Sequence, residues 1–406
     1  MSAAAGLSLA RGFVIAGILS PQSFASYAVT VSLGAFLSSI LSWGLVEETI
    51  KQFPRIAVSG DLSSLTVLSK RAVRRLTSRA AIYIPVAALA AYFLGPSSFV
   101  TLGFAVPIAY GVVVTGIVAS MQRALLDPMH LAFGTVVRSA IALILASLGA
   151  YQFGLVGAVA AEVIAALVGS FVSALTSHRK IAKQSLNKPG SSAAHDGDVP
   201  SRLVEAHGGV QVFVAYTALS VPVYLDRTFV SAVFSQSEAA SYALMALFVS
   251  ASIVLVNIVA QKVGPQIVSR EHAGAAPGSL VWYAAKWSGL VLAIWLSFIG
   301  VASCLPSIAP FSEMFARYSV SGELLFAIAL LGCVQVTALF EFILIARDRE
   351  KQFVFLAITY LASVLVVGTV VAYAAVPLLG LIGLLIVARL LYLTLIVFAL
   401  CRRTVS

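Results

Sequence analysis

Seven charged side chains stand where charge is expensive. Arg11, Arg138, Arg227, Lys286 and Arg389 fall inside long apolar stretches, as do Glu162 and Asp226. A charge in the middle of a membrane-spanning stretch costs at least about 2.5–3.5 kcal/mol, so it faces a cavity or a partner. Five cations against two acids make an interior that favours anions. A guanidinium grips phosphate oxygens bidentately, so paired arginines suit a phosphate or pyrophosphate group. Plainer roles stay open for each residue. Arg389 can pair with an acid on a neighbouring helix. Lys286 and Arg138 lie close enough to a boundary to snorkel. Arg11 and Arg227 can hold two halves together through backbone carbonyls. Asp226 does not face its neighbour Arg227 on a helix; it pairs with a cation elsewhere or carries a proton. Glu47, Glu48, Glu323 and Glu341 lie nearer the ends of their stretches and are weaker candidates.

The elements that must hold these residues are membrane helices. The chain is 60% hydrophobic and 10% charged, where soluble domains carry about 45–50% and 25%. Runs of about 20 apolar residues mark spanning helices, and twelve are legible: near 3–20, 23–46, 80–95, 98–120, 131–150, 154–176, 209–233, 239–261, 280–303, 320–346, 352–374 and 377–400. The third is short. The loop 47–79 ahead of it interleaves Leu62, Leu65, Leu68, Val73 and Leu76 with Lys70, Arg71, Arg74 and Arg75, the pattern of a basic amphipathic helix lying on the inner surface; the plainer reading is a solvated loop. Pro222 frees a backbone carbonyl within the seventh span and predicts a kink there.

The sequence also repeats itself. Leu9-Ala10-Arg11-Gly12-Phe13-Val14 returns as Leu225-Asp226-Arg227-Thr228-Phe229-Val230, 216 residues on. Ala25-Ser26-Tyr27-Ala28 returns as Ala240-Ser241-Tyr242-Ala243, and Gly154-Leu155-Val156-Gly157 as Gly380-Leu381-Ile382-Gly383. Three matches in order indicate two copies of one unit, a pattern of transporters whose substrate lies between related halves. The polar stretch 177–208 divides six spans from six, giving halves 1–176 and 209–406. An even number per half puts the pseudo-two-fold axis along the membrane normal. Arg11 and Arg227 occupy matching positions; Asp226 answers to Ala10, so the arginine is duplicated and the acid is not. Only eight residues precede Leu9, against about 16 of the seventh span before Leu225. Either the first helix is shortened, or the true start lies upstream of Met1.

Loop charge orients the bundle. On this map twenty of the 26 basic residues fall on one side, with Arg317 alone opposite. The positive-inside rule then makes both termini cytoplasmic and accounts for the net charge of +10 without a nucleic-acid partner. Cys304, Cys333 and Cys401 are isolated, the five histidines form no metal motif, and there is no Gly-x-x-x-x-Gly-Lys-Ser/Thr phosphate loop. No metal, no cofactor and no enzymatic activity are expected.

Pro21-Gln22-Ser23-Phe24-Ala25-Ser26-Tyr27-Ala28 after a first span resembles the Pro-x-x-Phe-Gly-x-Tyr turn of the polysaccharide flippases in the MATE-like MOP superfamily, with Ala25 in place of the glycine. Leu225-Asp226-Arg227, then Ala240-Ser241-Tyr242-Ala243 and Pro265, resemble the start of their second half, and Gly380-Leu381-Ile382-Gly383 their last-span entry. The resemblance implies an all-α integral membrane fold, with two six-helix bundles forming a V around a central cavity. It implies a lipid-linked oligosaccharide, typically on undecaprenyl pyrophosphate, carried across the bacterial inner membrane by alternating access for surface polysaccharide assembly. Membrane lipids, a polysaccharide polymerase and export machinery are the implied partners. In that reading Arg11, Arg227, Arg138, Lys286 and Arg389 bind substrate, and Glu162 or Asp226 couples an ion. A MATE-like cation or drug exporter predicts acids lining the cavity instead. A twelve-helix metabolite porter shares the topology, and a membrane scaffold in a glycan-assembly complex predicts that Arg11 and Arg227 are dispensable.

Overall fold

The computed structural model describes residues 2–46, 48–49, 52–53, 56, 62–94, 96–125, 128–186, 208–309, 311–347 and 349–401. These form helices and turns, and no strand occurs among them. Eight helices among the described residues are long and apolar enough to cross a membrane, and the chain is a multi-pass membrane protein. It forms two compact units. One comprises Ala3–Arg11 and Ser26–Phe213; the other comprises Gly12–Ala25 and Val214–Ser406. Residues 187–207, most of the expected linker, lie outside the described residues, as do Glu47, Lys51, Arg55, Arg402 and Arg403.

The first unit takes its helices from α1 (Ser2–Ile18), α2 (Pro21–Ser42), α3 (Leu62–Leu94), α4 (Pro96–Ala124) and α5 (Pro128–Leu186). The short third span and the surface helix of the sequence reading are one element, the 33-residue α3. Hydropathy drops where Lys70, Arg71, Arg74 and Arg75 enter, but these residues are good helix formers and the helix does not stop. Its apolar face is not laid on a lipid surface. Leu65, Leu68, Ala72 and Leu76 are buried against Leu41, Val113, Ile117 and Met121.

The 59-residue α5 is broken at Gly154, whose φ of 61° and ψ of −139° only glycine adopts readily. Its apolar part, Phe133–Ser177, is 45 residues long. As one helix that would measure roughly 68 Å, about twice a bilayer core of about 30 Å. Instead it folds back. Gly149 and Gly157 touch backbone to backbone, Arg138 lies across Gly169, and Gly134 approaches Ser173. The paired numbers sum to 306 or 307 each time, so the two arms run antiparallel. A Cβ on Gly149 or Gly157 would collide with the opposite carbonyl.

The second unit contains α6 (Gly208–Tyr224), α7 (Asp226–Val233), α8 (Gln236–His272), α9 (Pro277–Ala302), α10 (Phe311–Arg317), α11 (Gly322–Cys333), a 3₁₀ turn (Val334–Thr337), α12 (Ala338–Ala346), α13 (Glu350–Ala374) and α14 (Leu378–Cys401). The sequence writes several of these ends. Ser235 and Glu238 form a reciprocal capping box at the start of α8, and Ser321 caps α11 through the Leu324 amide. Three residues beyond Pro222 the seventh span is interrupted at Leu225, and a new helix starts at Asp226.

Residues 12–25 belong with this unit for identifiable reasons. Phe13 packs edge-on against Phe248 and Phe311, and the Tyr318 hydroxyl donates to the Ala16 carbonyl at 3.0 Å. Arg317 donates to the carbonyls of Gly17 and Leu19. The lone cation that loop charge left on the opposite side therefore caps the end of α1, where helix carbonyls lack intrahelical donors.

Candidate functional site: two carboxylate–tyrosine–arginine clusters

In the first unit, four helical segments deliver one polar side chain each to a single cluster. α1 brings Arg11, α2 brings Tyr27, and the two arms of α5 bring Arg138 and Glu162. Arg11 Nη1 lies 2.8 Å from Glu162 Oε2, with the two side chains 20% and 9% exposed. The Tyr27 hydroxyl donates to Glu162 Oε1, so both carboxylate oxygens are engaged. Arg138 lies within Coulombic reach of both Arg11 and Glu162. Two cations share one acid, and Arg11 Nε is buried with no hydrogen-bond partner. A guanidinium offers five N–H donors in a rigid fork, so Arg11 holds one carboxylate oxygen end-on and keeps donor capacity for another oxygen.

The second unit builds its counterpart around the Leu225 interruption. Asp226 opens α7, where the free N–H groups of a helix N-terminus favour an acid. Its Oδ1 accepts from the Arg227 backbone N–H at 2.7 Å and its Oδ2 from the Tyr242 hydroxyl at 2.6 Å. The Arg227 guanidinium donates from Nη2 to Ser250 Oγ at 2.9 Å and to the Ala246 carbonyl at 3.2 Å. Beside the cluster is a groove of about 540 Å³ whose lining includes Pro222, Leu225, Phe229, Gly368 and Leu385. Asp226 and Thr228 are its polar groups from α7, and Thr228 Oγ1 is buried without a partner.

The two clusters are one motif built with its acid in different places. Arg11 matches Arg227 and Tyr27 matches Tyr242. Asp226, however, answers to Ala10. Carrying the 226-residue offset of the glycine pair forward, Glu162 answers to Ala388. Each unit has one carboxylate on the matched tyrosine, supplied in one case by the second arm of α5 and in the other by α7.

Arg389 lies in the core of the second unit and adjoins that unit's cluster, since Tyr360, over whose ring it lies, is within Coulombic reach of both Asp226 and Tyr242. Arg389 is 5% exposed, and its Nη2 is 3.6 Å from Glu341 Oε1. The guanidinium carbon lies 5.0 Å and 5.1 Å from the ring centres of Tyr360 and Tyr392, and Tyr392 also donates to Glu341 at 3.3 Å. Cation–π contact and an ion pair lie against the charge within the helix bundle, while Nε and Nη1 are buried without a hydrogen-bond partner. Glu341, ranked low as a span-end acid, is 3% exposed and sits one turn after the 3₁₀ interruption. Lys286 is exposed on α9 and joins neither cluster. Of the seven residues the sequence singled out, the structure assembles Arg11, Arg138 and Glu162 in one place and Asp226 with Arg227 in another. It adds Tyr27 and Tyr242, whose place in the repeat was the available signal, and Ser250, Tyr360 and Tyr392, which carried none.

No protein-family model matches the chain, and no curated protein matches it by sequence. Solved structures do. An outward-facing multidrug resistance MATE family transporter of the MOP superfamily is 16% identical, with a TM-score of 0.69, 98% of this chain and 92% of that one covered. An inward-facing structure of such a transporter gives 14%, a TM-score of 0.66, and 97% and 92%. A MOP superfamily transporter from Pyrococcus furiosus, described as having a binding pocket of reverse polarity that suggests a different function, gives 15%, 0.59, and 98% and 92%. At these identities the likeness is one of fold: the chain folds as MATE-family transporters of the MOP superfamily do.

Proposed function

We propose that this chain is a transporter that moves an anionic, lipid-linked substrate across the membrane by alternating access. The substrate class that fits is a lipid-linked oligosaccharide on a polyprenyl pyrophosphate. In this reading the chain makes twelve spans in two six-helix bundles, 1–176 and 209–406, joined by a cytoplasmic linker at 177–208, with both termini in the cytoplasm of a bacterium. The folding back of α5 at Gly154 supports counting it twice. The fold supports alternation, since its relatives are known facing inward and outward.

The observation that carries the proposal is the duplicated arginine. Arg11 and Arg227 keep matching positions although the acid beside each has moved to a different helix. What both units retain is a guanidinium next to a tyrosine-bound carboxylate, and the first unit adds Arg138. An excess of cations held half-buried suits diphosphate oxygens. Arg389 is a secondary member of the binding set in this reading: Glu341 and two aromatic faces lie against its charge, while its Nε and Nη1 keep free donor capacity. Glu162 holds Arg11 in the absence of substrate, and an arriving diphosphate competes with it. A proton or cation taken up by the released carboxylate would couple transport to a gradient; Asp226 is the second candidate for that role.

The test is the lipid extract of cells lacking this chain, analysed by mass spectrometry. Fully built polyprenyl-pyrophosphate glycans should accumulate while surface polysaccharide is lost. Re-expression of the natural chain should clear them, and Arg11→Gln with Arg227→Gln should not. Unchanged lipid-linked glycans with normal surface polymer, in a strain without a second flippase, would overturn the substrate assignment.

A further inference from the structure

The basic face of α3 plays no part in the clusters above, yet it borders a cavity. Within the first unit, a groove of about 440 Å³ lies between α3, α4 and the second arm of α5. Its walls are apolar, with Val73 from α3, Val114 from α4, and Leu167 and Phe171 from α5. Leu167 is 40% and Phe171 64% exposed, so the groove is open at the surface of these helices. Lys70 and Arg74, one helical turn apart on α3, line the same groove, and both are exposed. Hydroxyls nearby are already committed: Tyr110 to Thr77 at 3.0 Å, and Ser170 to Thr115, Gly111 and Ala166.

We propose that this groove is a binding site for an anionic phospholipid of the inner leaflet. The headgroup phosphate would lie on Lys70 and Arg74, and an acyl chain along Val73, Val114, Leu167 and Phe171. Two features of the site fix the ligand class. The first is amphiphilic order: paired cations lie on one element and an open apolar channel beside them, matching a charged head on a hydrocarbon chain. The second is the side of the membrane. Loop charge assigns the basic end of α3 to the cytoplasm, whose leaflet carries anionic lipid, and basic pockets between spanning helices on that side bind such headgroups. A soluble phosphate would use the cations and leave the channel unused. The site is independent of the transport reading, since it involves neither tyrosine-bound carboxylate cluster.

Native mass spectrometry of the purified full chain tests this, with phosphatidylglycerol and phosphatidylethanolamine offered in equal amounts. The natural chain should retain phosphatidylglycerol selectively. At about 1 kcal/mol per basic residue, Lys70→Gln with Arg74→Gln should lower its retention by roughly tenfold or more. Arg75→Gln removes an exposed cation of the same helix that does not line the groove, and should leave retention unchanged. Ala174→Trp fills the groove without altering charge and should displace the lipid as well. Equal losses from Arg75→Gln and the double variant would reduce the effect to general surface charge and overturn the site. So would full retention in Ala174→Trp. Preference for a short-chain prenyl diphosphate over phosphatidylglycerol at these residues would overturn the lipid assignment in favour of a substrate entry site.

Discussion

Tyr27 and Tyr242 stand 215 residues apart at matching positions of the repeat, and each donates its hydroxyl to a carboxylate from a non-matching position, Glu162 in one unit and Asp226 in the other. The tyrosine is therefore the fixed point of the motif and the acid the movable one. A hydrogen bond to a charged group contributes about 1.5–3 kcal/mol. Tyr27→Phe and Tyr242→Phe should each lower stability by that order in detergent unfolding experiments. Tyr27→Phe added to Glu162→Gln should cost much less than alone, because the pair is coupled. Full additivity would show that the hydroxyl and the carboxylate do not interact in solution.

Glu162 and Arg11 make an ion pair in which the carboxylate occupies part of the guanidinium fork. Removing the acid's charge should therefore strengthen anion binding. Glu162→Gln is expected to bind inorganic pyrophosphate more tightly than the natural chain in calorimetric titration, by roughly tenfold for each 1.4 kcal/mol of competition removed. Arg11→Gln should abolish the gain. Weaker binding by Glu162→Gln would make the acid a contributor to the site and not a competitor.

Arg389 and Glu341 pose the opposite case, a pair closed off by protein. Arg389→Met leaves a buried carboxylate unmatched and should cost about 3–5 kcal/mol, while Arg389→Met with Glu341→Leu should recover most of that loss. Lys at 389 should not substitute, lacking the planar group that lies over Tyr360 and Tyr392. Thermal unfolding of the three variants would rank them; a double variant less stable than Arg389→Met would refute the ion-pair account.

The fold-back of α5 rests on close backbone contact at Gly149 and Gly157. Gly157→Val should prevent the arms from meeting and abolish folded protein, as judged by monodisperse elution in detergent. Gly154→Ala meets no neighbour but must adopt a backbone conformation that only glycine takes readily, so the expected loss is about 1–3 kcal/mol. If Gly157→Val behaved like Gly154→Ala, the antiparallel packing of the arms would be wrong.

The sequence made the membrane, the repeat and the cost of each buried charge legible, because all three are local or periodic properties. Arg11 and Arg227 stood out as charges within apolar stretches, and the repeat set them apart from the other three cations. What escaped is long-range. Arg11 and Glu162 are 151 residues apart, and no periodicity connects them. The continuity of α3 escaped because hydropathy registers the basic residues as an end, whereas helix propensity carries through them. Glu341 was undervalued because hydropathy sees distance from a span end and not depth in protein. Its span, Gly322–Ala346, is 72% buried over its most apolar window, against 22% for α13, so the acid lies among helices. The one-residue interruption at Leu225 was foreshadowed by Pro222, but the new helix start that seats Asp226 was not.

The central claim is that this chain moves a diphosphate-linked lipid through sites built on Arg11 and Arg227. It is tested most directly in sealed vesicles containing the purified chain and a fluorescent polyprenyl-pyrophosphate saccharide, with a membrane-impermeant quencher added outside. With the natural chain, the protected inner-leaflet fraction should become accessible to the quencher over time, and with Arg11→Gln and Arg227→Gln it should stay protected. Equal accessibility with both proteins, or none with the natural chain under any imposed ion gradient, would contradict the account.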